Sequence, residues 1–447
     1  MQDTRPVSSM ASAPLSVAVI GGGFSGLSAA RDLARAGHVV TVYEAQPTVG
    51  GLAGAFETRG ERLDRFYHHW FTNDLEVMSL IEELGLSDRI VTNPTNTGLY
   101  YANTIFKLST PLDLLRFSAL PFVDRIRLGL LTLRARAVRD WRPLEDITAA
   151  DWLRRLGGET VYRVVWEPLL KGKFGPYAEE ISAVWFWNKL KLRGGSRGKG
   201  GEERLAYMEG SFARLAEAMA GDVAAHGGRV LCDHRVEALT QLPDGRWKIS
   251  GPWGEAESDR VVATTALPVI GDMIAQWAPA EYLARLRAIP YLANVCLVLQ
   301  LNRSLSSTYW LNVNDTSFPF VGVIEHTNFE RPETYGGDHV VYLSKYLPHT
   351  DVLYSMPDDE VMAFALEHLQ RMFPAFSMDW VRDYHVWRAR WSQPVVCRHY
   401  SRQIPEDEGP AAGLYICSMA QIYPEDRGTN YAVREGRRIA RKLMERE

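Results

Sequence analysis

Two patterns alternate along the chain. Short apolar runs rich in β-branched residues read as strands, and longer stretches with an apolar residue every three or four positions read as helices. Val17, Val19 and Ile20 make the first run; Leu27, Ala30, Leu33 and Ala34 then fall at helical spacing until Gly37 stops the helix. A second β-rich run covers 39–43. Further on, the spacing predicts a helix over 75–86, a hairpin over 98–108 turning at Ala102-Asn103, and helices over 122–138 and 146–156. Thr148 is the expected N-cap of the last of these, and Gly157-Gly158 its end. A helix over 212–225 capped by Ser211, a strand over 230–232, a hairpin turning at Pro243-Asp244-Gly245 and buried strands over 259–265 and 294–303 follow. A strand over 414–417 and a helix over 431–443 close the chain. The alternation predicts an α/β fold.

Between the first strand and its helix lies Gly21-x-Gly23-x-x-Gly26. Gly21 permits the tight turn out of the strand, Gly23 lets a diphosphate approach the backbone, and Gly26 lets the helix pack close to the sheet. Phe24 and Ser25 open the helix, whose free N–H groups and positive dipole end suit phosphate. Glu44 ends the second strand, 23 residues after Gly21, where it can accept hydrogen bonds from an adenosine ribose; Ala45 follows it. Strand, glycine turn, helix, strand and terminal acid together predict a Rossmann-type dinucleotide-binding domain.

The chain has 447 residues, enough for two or three structural units. A net charge of −4 provides no field that calls for nucleic acid. The four cysteines, Cys232, Cys296, Cys397 and Cys417, form no C-x-x-C pair and read as reduced thiols of a cytosolic protein. Residues 1–13 read as a disordered tail without a signal-peptide pattern. No apolar stretch reaches the ~20 residues a bilayer span requires.

The motif does not choose between nicotinamide and flavin, but its sequel does. Gly50-Gly51 and Leu52 follow Glu44, and then comes Gly60-Glu-Arg-Leu-Asp64. This resembles the extended signature of the flavin amine oxidase superfamily, which includes protoporphyrinogen oxidases and phytoene-type desaturases and, more distantly, UDP-galactopyranose mutase. The resemblance implies FAD, with the Gly-Gly segment running along its diphosphate. Thr48 stands where the family often has arginine. The segment 64–70 (DRFYHHW) matches one that passes near the flavin, so Tyr67, His68 and His69 become the candidate catalytic residues. Adjacent histidines point to opposite sides of a strand and no third ligand is spaced nearby, so no metal is expected. The resemblance also implies that Val236 holds the adenine, that the strand with Thr264 lies beside the cofactor, and that the final helix aims Gly428, Thr429 and Asn430 at the flavin pyrimidine. Two departures stand out. Ser418-Met419 replaces the usual Gly-Asp pair, leaving Asp426 as the expected ribitol anchor. Cys296 replaces the lysine of amine-oxidising relatives, which weakens the amine oxidase reading and opens carbon dehydrogenation or desaturation.

For substrate, 164–187 combines Glu167, Lys171 and Lys173 with Phe174, Tyr177, Trp185 and Trp187, as a pocket for an apolar molecule with a polar end would. The stretch 188–201 carries five cations, among them Arg193 and Arg197, between five glycines, and reads as a loop able to clamp an anion. On the helix over 122–138, Phe122, Ile126, Leu130, Leu133 and Ala137 form one stripe, with Arg125 and Arg136 on one shoulder and Arg127 and Arg134 on the other. Such a stripe suits a peripheral membrane contact, and equally a helix packed on a core with arginines reaching to water. Core packing is the commoner pattern and is the expectation here.

The sequence thus predicts a discontinuous FAD-binding domain over 14–70, 205–268 and 385–447, with a mixed α+β substrate domain over 71–204 and 269–384. The expected reaction is hydride transfer from a largely apolar small molecule or lipid to flavin N5. The rival readings are a flavin-dependent sugar isomerase resembling UDP-galactopyranose mutase and a non-catalytic flavin-binding subunit. The oligomeric state is left open.

Overall fold

A computed structural model describes residues 13–108, 110–193 and 203–445. The glycine turn sits at the carboxyl edge of a five-stranded sheet whose neighbours all run parallel. Across the sheet the strands are Arg229–Leu231, Val39–Tyr43, Ser16–Ile20, Arg260–Ala263 and Leu414–Ile416. Parallel strands are covered on both faces, which is why Val17, Val19, Val40, Val42, Val261 and Val262 are all buried. The structure is of α/β class.

The tail helix, Thr429–Glu445, lies directly on the helix that follows the glycine turn, Phe24–Arg35. A Cβ built on Gly436 would collide with the Ser25 carbonyl oxygen and stand 2.7 Å from Ser28 Cβ, so only glycine permits this approach. Ser28 Oγ donates to the Val433 carbonyl at 3.0 Å. Arg31, 2% exposed, ties the same helix to Asp222 of the helix Ser211–Ala225 and to Glu83, which also accepts from Arg437 of the tail helix. The tail helix starts two residues earlier than its apolar spacing predicts. Trp70 Nε1 donates to Thr429 Oγ1 at 2.6 Å, and Asn430 Oδ1 accepts from the Val77 amide at 3.1 Å; these tertiary bonds hold its first turn.

The other half is built on a seven-stranded sheet in the order Val381–Pro394, Tyr291–Leu301, His339–Leu347, Gly322–Glu325, Trp310–Val313, Thr97–Tyr101 and Thr104–Lys107. It is antiparallel except where Trp310–Val313 pairs with Thr97–Tyr101. Its strand Tyr291–Leu301 is buried at every position. The hairpin turns at Ala102-Asn103, as expected, with both residues at positive φ. Helices fill most of 111–193, and Thr148 caps its helix by accepting from the Asp151 amide at 3.1 Å.

Two expectations fail here. The first six residues of the predicted loop over 188–201 continue the helix Ala183–Arg193; Arg197 and the rest of that stretch from 194 lie outside the described residues. The apolar stripe of the helix Phe122–Ala137 does not pack on the core. Phe122, Val123, Ile126, Leu130 and Leu133 are 64, 60, 41, 44 and 61% exposed, while a second stripe of Asp124, Leu128, Leu131 and Ala135 is buried. The second stripe fits because it offers smaller groups to the helices Ala149–Gly157 and Ala183–Arg193; a Cβ on Gly157 would already stand 2.9 Å from Leu131 Cδ1.

Gly436→Ala will force the two helices apart and cost about 1–3 kcal/mol in urea unfolding. Gly221→Ala, whose Cβ would meet nothing within 4 Å, will be neutral or stabilise by up to ~1 kcal/mol. Asp64 is 1% exposed and accepts from Tyr207 Oη at 2.7 Å and the Phe212 amide at 3.1 Å; burial outweighs these bonds and raises its pKa to about 7. A carboxyl raised in the folded state stabilises when protonated, so its contribution is complete below about pH 4 and is lost as pH rises through 7. Thermal unfolding of Asp64→Asn relative to the parent will therefore become more favourable to the variant between those limits.

Candidate functional site

The glycine turn is held open from behind. Gly21 has φ +107°, and Thr264 Oγ1 donates to the Ile20 carbonyl at 2.9 Å, packing where a Cβ on Gly21 or Gly26 would collide. Glu44 is buried; one carboxylate oxygen accepts from the Gly22 amide at 2.7 Å and the other from the Gln46 amide at 2.8 Å. Each oxygen keeps lone-pair capacity for a ligand hydroxyl. The Gly50 amide donates to the Gly22 carbonyl at 2.8 Å, and Gly51 lies against Gly23, where its Cβ would stand 3.4 Å from Gly23 Cα. Leu52 and Ala53 continue this as a short turn.

These contacts leave a cradle. A Cβ on Gly23 would meet no protein atom within 4 Å, and no side chain caps the helix Phe24–Arg35, so its first-turn amides, including those of Phe24, Ser25 and Gly26, face a place suited to an anion. Beside Ala45 and Glu44 runs the segment leading to Val236: the His234 amide donates to the Glu44 carbonyl at 2.8 Å. Trp253, which the sequence reading missed, stacks on Tyr43 at 5.1 Å and donates from Nε1 to the Arg235 carbonyl at 2.9 Å. Met419 opens a short turn just after the strand Leu414–Ile416, on the sheet's carboxyl side.

At the other end, the N-terminus of the tail helix, Gly428 is exposed and Asn430 is buried. Immediately before it lies a charge cluster. Asp426 Oδ2 is 2.6 Å from Lys189 Nζ and 3.7 Å from Lys173 Nζ, and Oδ1 accepts from Gln393 Nε2 at 3.3 Å. Arg427 donates to Gln393 Oε1 at 3.1 Å and to Tyr346 Oη at 3.0 Å. Asp426 is thus committed to cations and does not stand free as the expected ribitol anchor. Despite its burial, the Lys189, Lys173 and Arg427 charges hold its carboxyl far below the usual range. Burial pulls Lys173 down to about 7, with Asp426 opposing and the other two cations assisting. The walls are aromatic: Lys173 Nζ lies 4.7 Å from the Trp185 ring, 5.5 Å from Tyr346 and 5.6 Å from Phe174. The buried Trp185 Nε1–H has no partner among the described residues.

The three candidates in the DRFYHHW segment diverge. Tyr67 turns toward the cluster, hydrogen-bonding Ser344 and Tyr346, and burial raises its phenol well above the ordinary value. His68 packs on Phe212 at 5.3 Å; burial, with the Arg427 charge, lowers it to about 4, so it is neutral at physiological pH. His69 turns away, with Nδ1 3.2 Å from Tyr309 Oη. Cys296 is buried on the strand Tyr291–Leu301, opposite Ser344 and Trp387 and against the Tyr67 amide. Lys171 is on the surface, half exposed and paired with Glu167 at 2.9 Å; it takes no part in the cluster. Its spacing from Lys173 explains the error, since residues two apart on a helix face in different directions. Arg193 is the last residue of its helix. Lys189 belongs to the five-cation stretch over 188–201 that reads as an anion clamp, whereas Arg427, Tyr346 and Gln393 carried no recognisable motif. Only the adjacency of Asp426 and Arg427 to the tail-helix start could have flagged them.

Among the described residues, no three His, Cys, Asp or Glu side chains are grouped to hold a metal ion.

A parallel sheet with a glycine cradle at its edge, beside a C-terminal helix, defines a dinucleotide-binding fold. The profile of the family described as flavin containing amine oxidoreductase matches residues 24–444, and the chain belongs to that family. It is similar to the 15-cis-phytoene desaturase of Synechococcus elongatus, 23% identical over 461 residues, covering 96% of each chain. To the 15-cis-phytoene desaturase of Narcissus pseudonarcissus it is 23% identical over 386 residues, 80% of this chain and 66% of that longer one, so it spans just under two thirds of that relative. The structure resembles that of cyclohexylamine oxidase from Brevibacterium oxydans with a TM-score of 0.71 at 17% identity, covering 97% of this chain and 99% of that one, which is a likeness of fold. FAD is the cofactor, and the cradle fits its diphosphate.

Glu44→Ala removes the acceptor for the Gly22 amide. Its FAD affinity will fall about ten- to hundredfold, the worth of one or two hydrogen bonds to a charged group. Glu44→Gln will lie between. Ultrafiltration with flavin absorbance reads both.

Proposed function

We propose that this protein is an FAD-dependent dehydrogenase or oxidase that removes a hydride from a carbon of a largely apolar molecule bearing an anionic group, drawn from a lipid surface. One observation carries the reading: beside the tail-helix N-terminus, three cations, Lys173, Lys189 and Arg427, surround the carboxylate of Asp426, with Asp74 also within electrostatic reach of Lys189. With the positive end of the helix dipole added, the chamber attracts anions and repels an ammonium group. Trp185, Phe174 and Tyr346 supply the apolar wall, and the unpartnered Trp185 Nε1–H a further donor.

Bound FAD supplies the hydride acceptor. The chain's own residues orient the substrate and handle its proton. Lys173 and Arg427 fix the anionic head, which sets the depth at which the apolar body lies. Tyr67 keeps its proton throughout the physiological range and acts as a donor. His68, neutral there, is our candidate to accept the proton lost with the hydride. His69 is held by Tyr309 and supports the segment.

The test is anaerobic mixing of the flavin-loaded protein with long-chain carboxylates, isoprenoid phosphates and primary amines, following the bleaching of flavin absorbance. Anionic amphiphiles will bleach it. Bleaching by amines alone would overturn the reading. Lys173→Met and Arg427→Met will each weaken binding of an active anionic substrate about ten- to hundredfold, as expected for a charge-assisted hydrogen bond.

A further inference from the structure

We infer that the exposed face of residues 111–137 docks the protein on an anionic lipid bilayer. The inference rests on the proposed function only for what the docking delivers; the docking itself rests on the surface.

Among the described residues, twelve large apolar side chains are exposed, and seven of them lie within this stretch: Leu112, Leu115, Phe122, Val123, Ile126, Leu130 and Leu133. Scattered exposed apolar residues need no explanation, but this concentration on one face does. At about 100° per residue, the five on the helix Phe122–Ala137 fall within a ~100° arc, opposite the buried stripe of Leu128, Leu131 and Ala135. The helix therefore has two apolar faces, and the one with the larger side chains points to solvent. Leu112 and Leu115 come from the preceding helix, Pro111–Arg116. The Arg125 guanidinium joins the two by donating to the Leu115 carbonyl at 2.7 Å and the Leu120 carbonyl at 2.8 Å.

Charge selects the occupant. Arg116, Arg127, Arg134 and Arg136 are exposed around the face. The acids in the stretch are turned inward or used locally: Asp124 is buried and pairs with Arg127 at 2.8 Å, and Asp113 caps its own helix. A second copy of this surface would set arginine against arginine. Anionic headgroups complement it, with the apolar side chains entering the boundary beneath them. No helix among the described residues is long and apolar enough to cross a membrane, so the contact is with one leaflet. The docked helix packs on Ala183–Arg193, which carries Trp185 and Lys189, so the bilayer surface stands one helix layer from the cation chamber.

Flotation of the flavin-loaded full-length protein tests this. Vesicles of phosphatidylcholine with phosphatidylglycerol will carry it at least about tenfold better than phosphatidylcholine alone, the direction expected for basic residues at an anionic surface. The variant Ile126→Glu/Leu130→Glu/Leu133→Glu will stay behind with its unfolding temperature unchanged. Arg116→Gln/Arg134→Gln will lose about fivefold of low-salt binding for each charge removed. The proposal is overturned if neither vesicle type carries the parent, if both carry it equally, or if the glutamate variant floats as well. A dimer in light scattering that the glutamate variant dissolves overturns it too. Flavin absorbance of the same fractions keeps the two readings apart, because a colourless protein that floats would defeat the flavin reading and leave the docking.

Discussion

The backbone-to-backbone approach of two helices, one beginning at residue 24 and the other at residue 429, is the contact on which this structure depends. Gly436 on one and Ser25, Ser28 and Ala29 on the other leave no room for a methyl group. Everything functional follows from that closeness. It brings the last strand beside Arg260–Ala263, puts Thr429 under Trp70, and aims the tail-helix N-terminus along the same edge as the glycine turn. That side of the sheet then carries two helix N-termini. Helix ends concentrate unpaired amides, so both are suited to negative charge. Arg31 secures the arrangement from behind, because a buried guanidinium must be met by several acceptors and those it meets lie on two further helices.

The second organising feature is electrostatic. Asp426 is buried among three cations. A lone buried carboxylate would rather be protonated; here its neighbours reverse that tendency, while burial, assisted by the like charges of Lys189 and Arg427, depresses Lys173. The departures from the superfamily pattern fit one theme. The lysine of amine-oxidising relatives is absent at Cys296, and positive charge appears instead around Asp426. The family frame alone does not name the substrate.

How far the sequence could be read depended on whether a feature is local. The glycine turn, the acid ending the second strand and the strands of the parallel sheet were all legible, because turn geometry and double-sided burial act on a handful of consecutive residues. The resemblance extended this to the distant tail. It failed at Asp426, whose role depends on Lys173, Lys189 and Gln393, residues brought together from three separate elements. It also failed to separate Lys171 from Lys173: both are lysines on one short helix, and only the position of the neighbouring helix decides which of them is buried.

The stripe on Phe122–Ala137 shows the division most plainly. Its periodicity established a helix with an apolar face, since a 3.6-residue repeat allows nothing else. Periodicity says which residues share a face but not what the face meets. The sequence by itself determined the cofactor cradle, the class of fold and the positions of most elements. Only the tertiary structure decided which cations share a carboxylate and which of two apolar faces looks outward, because both depend on how separate elements pack, and no local pattern encodes that.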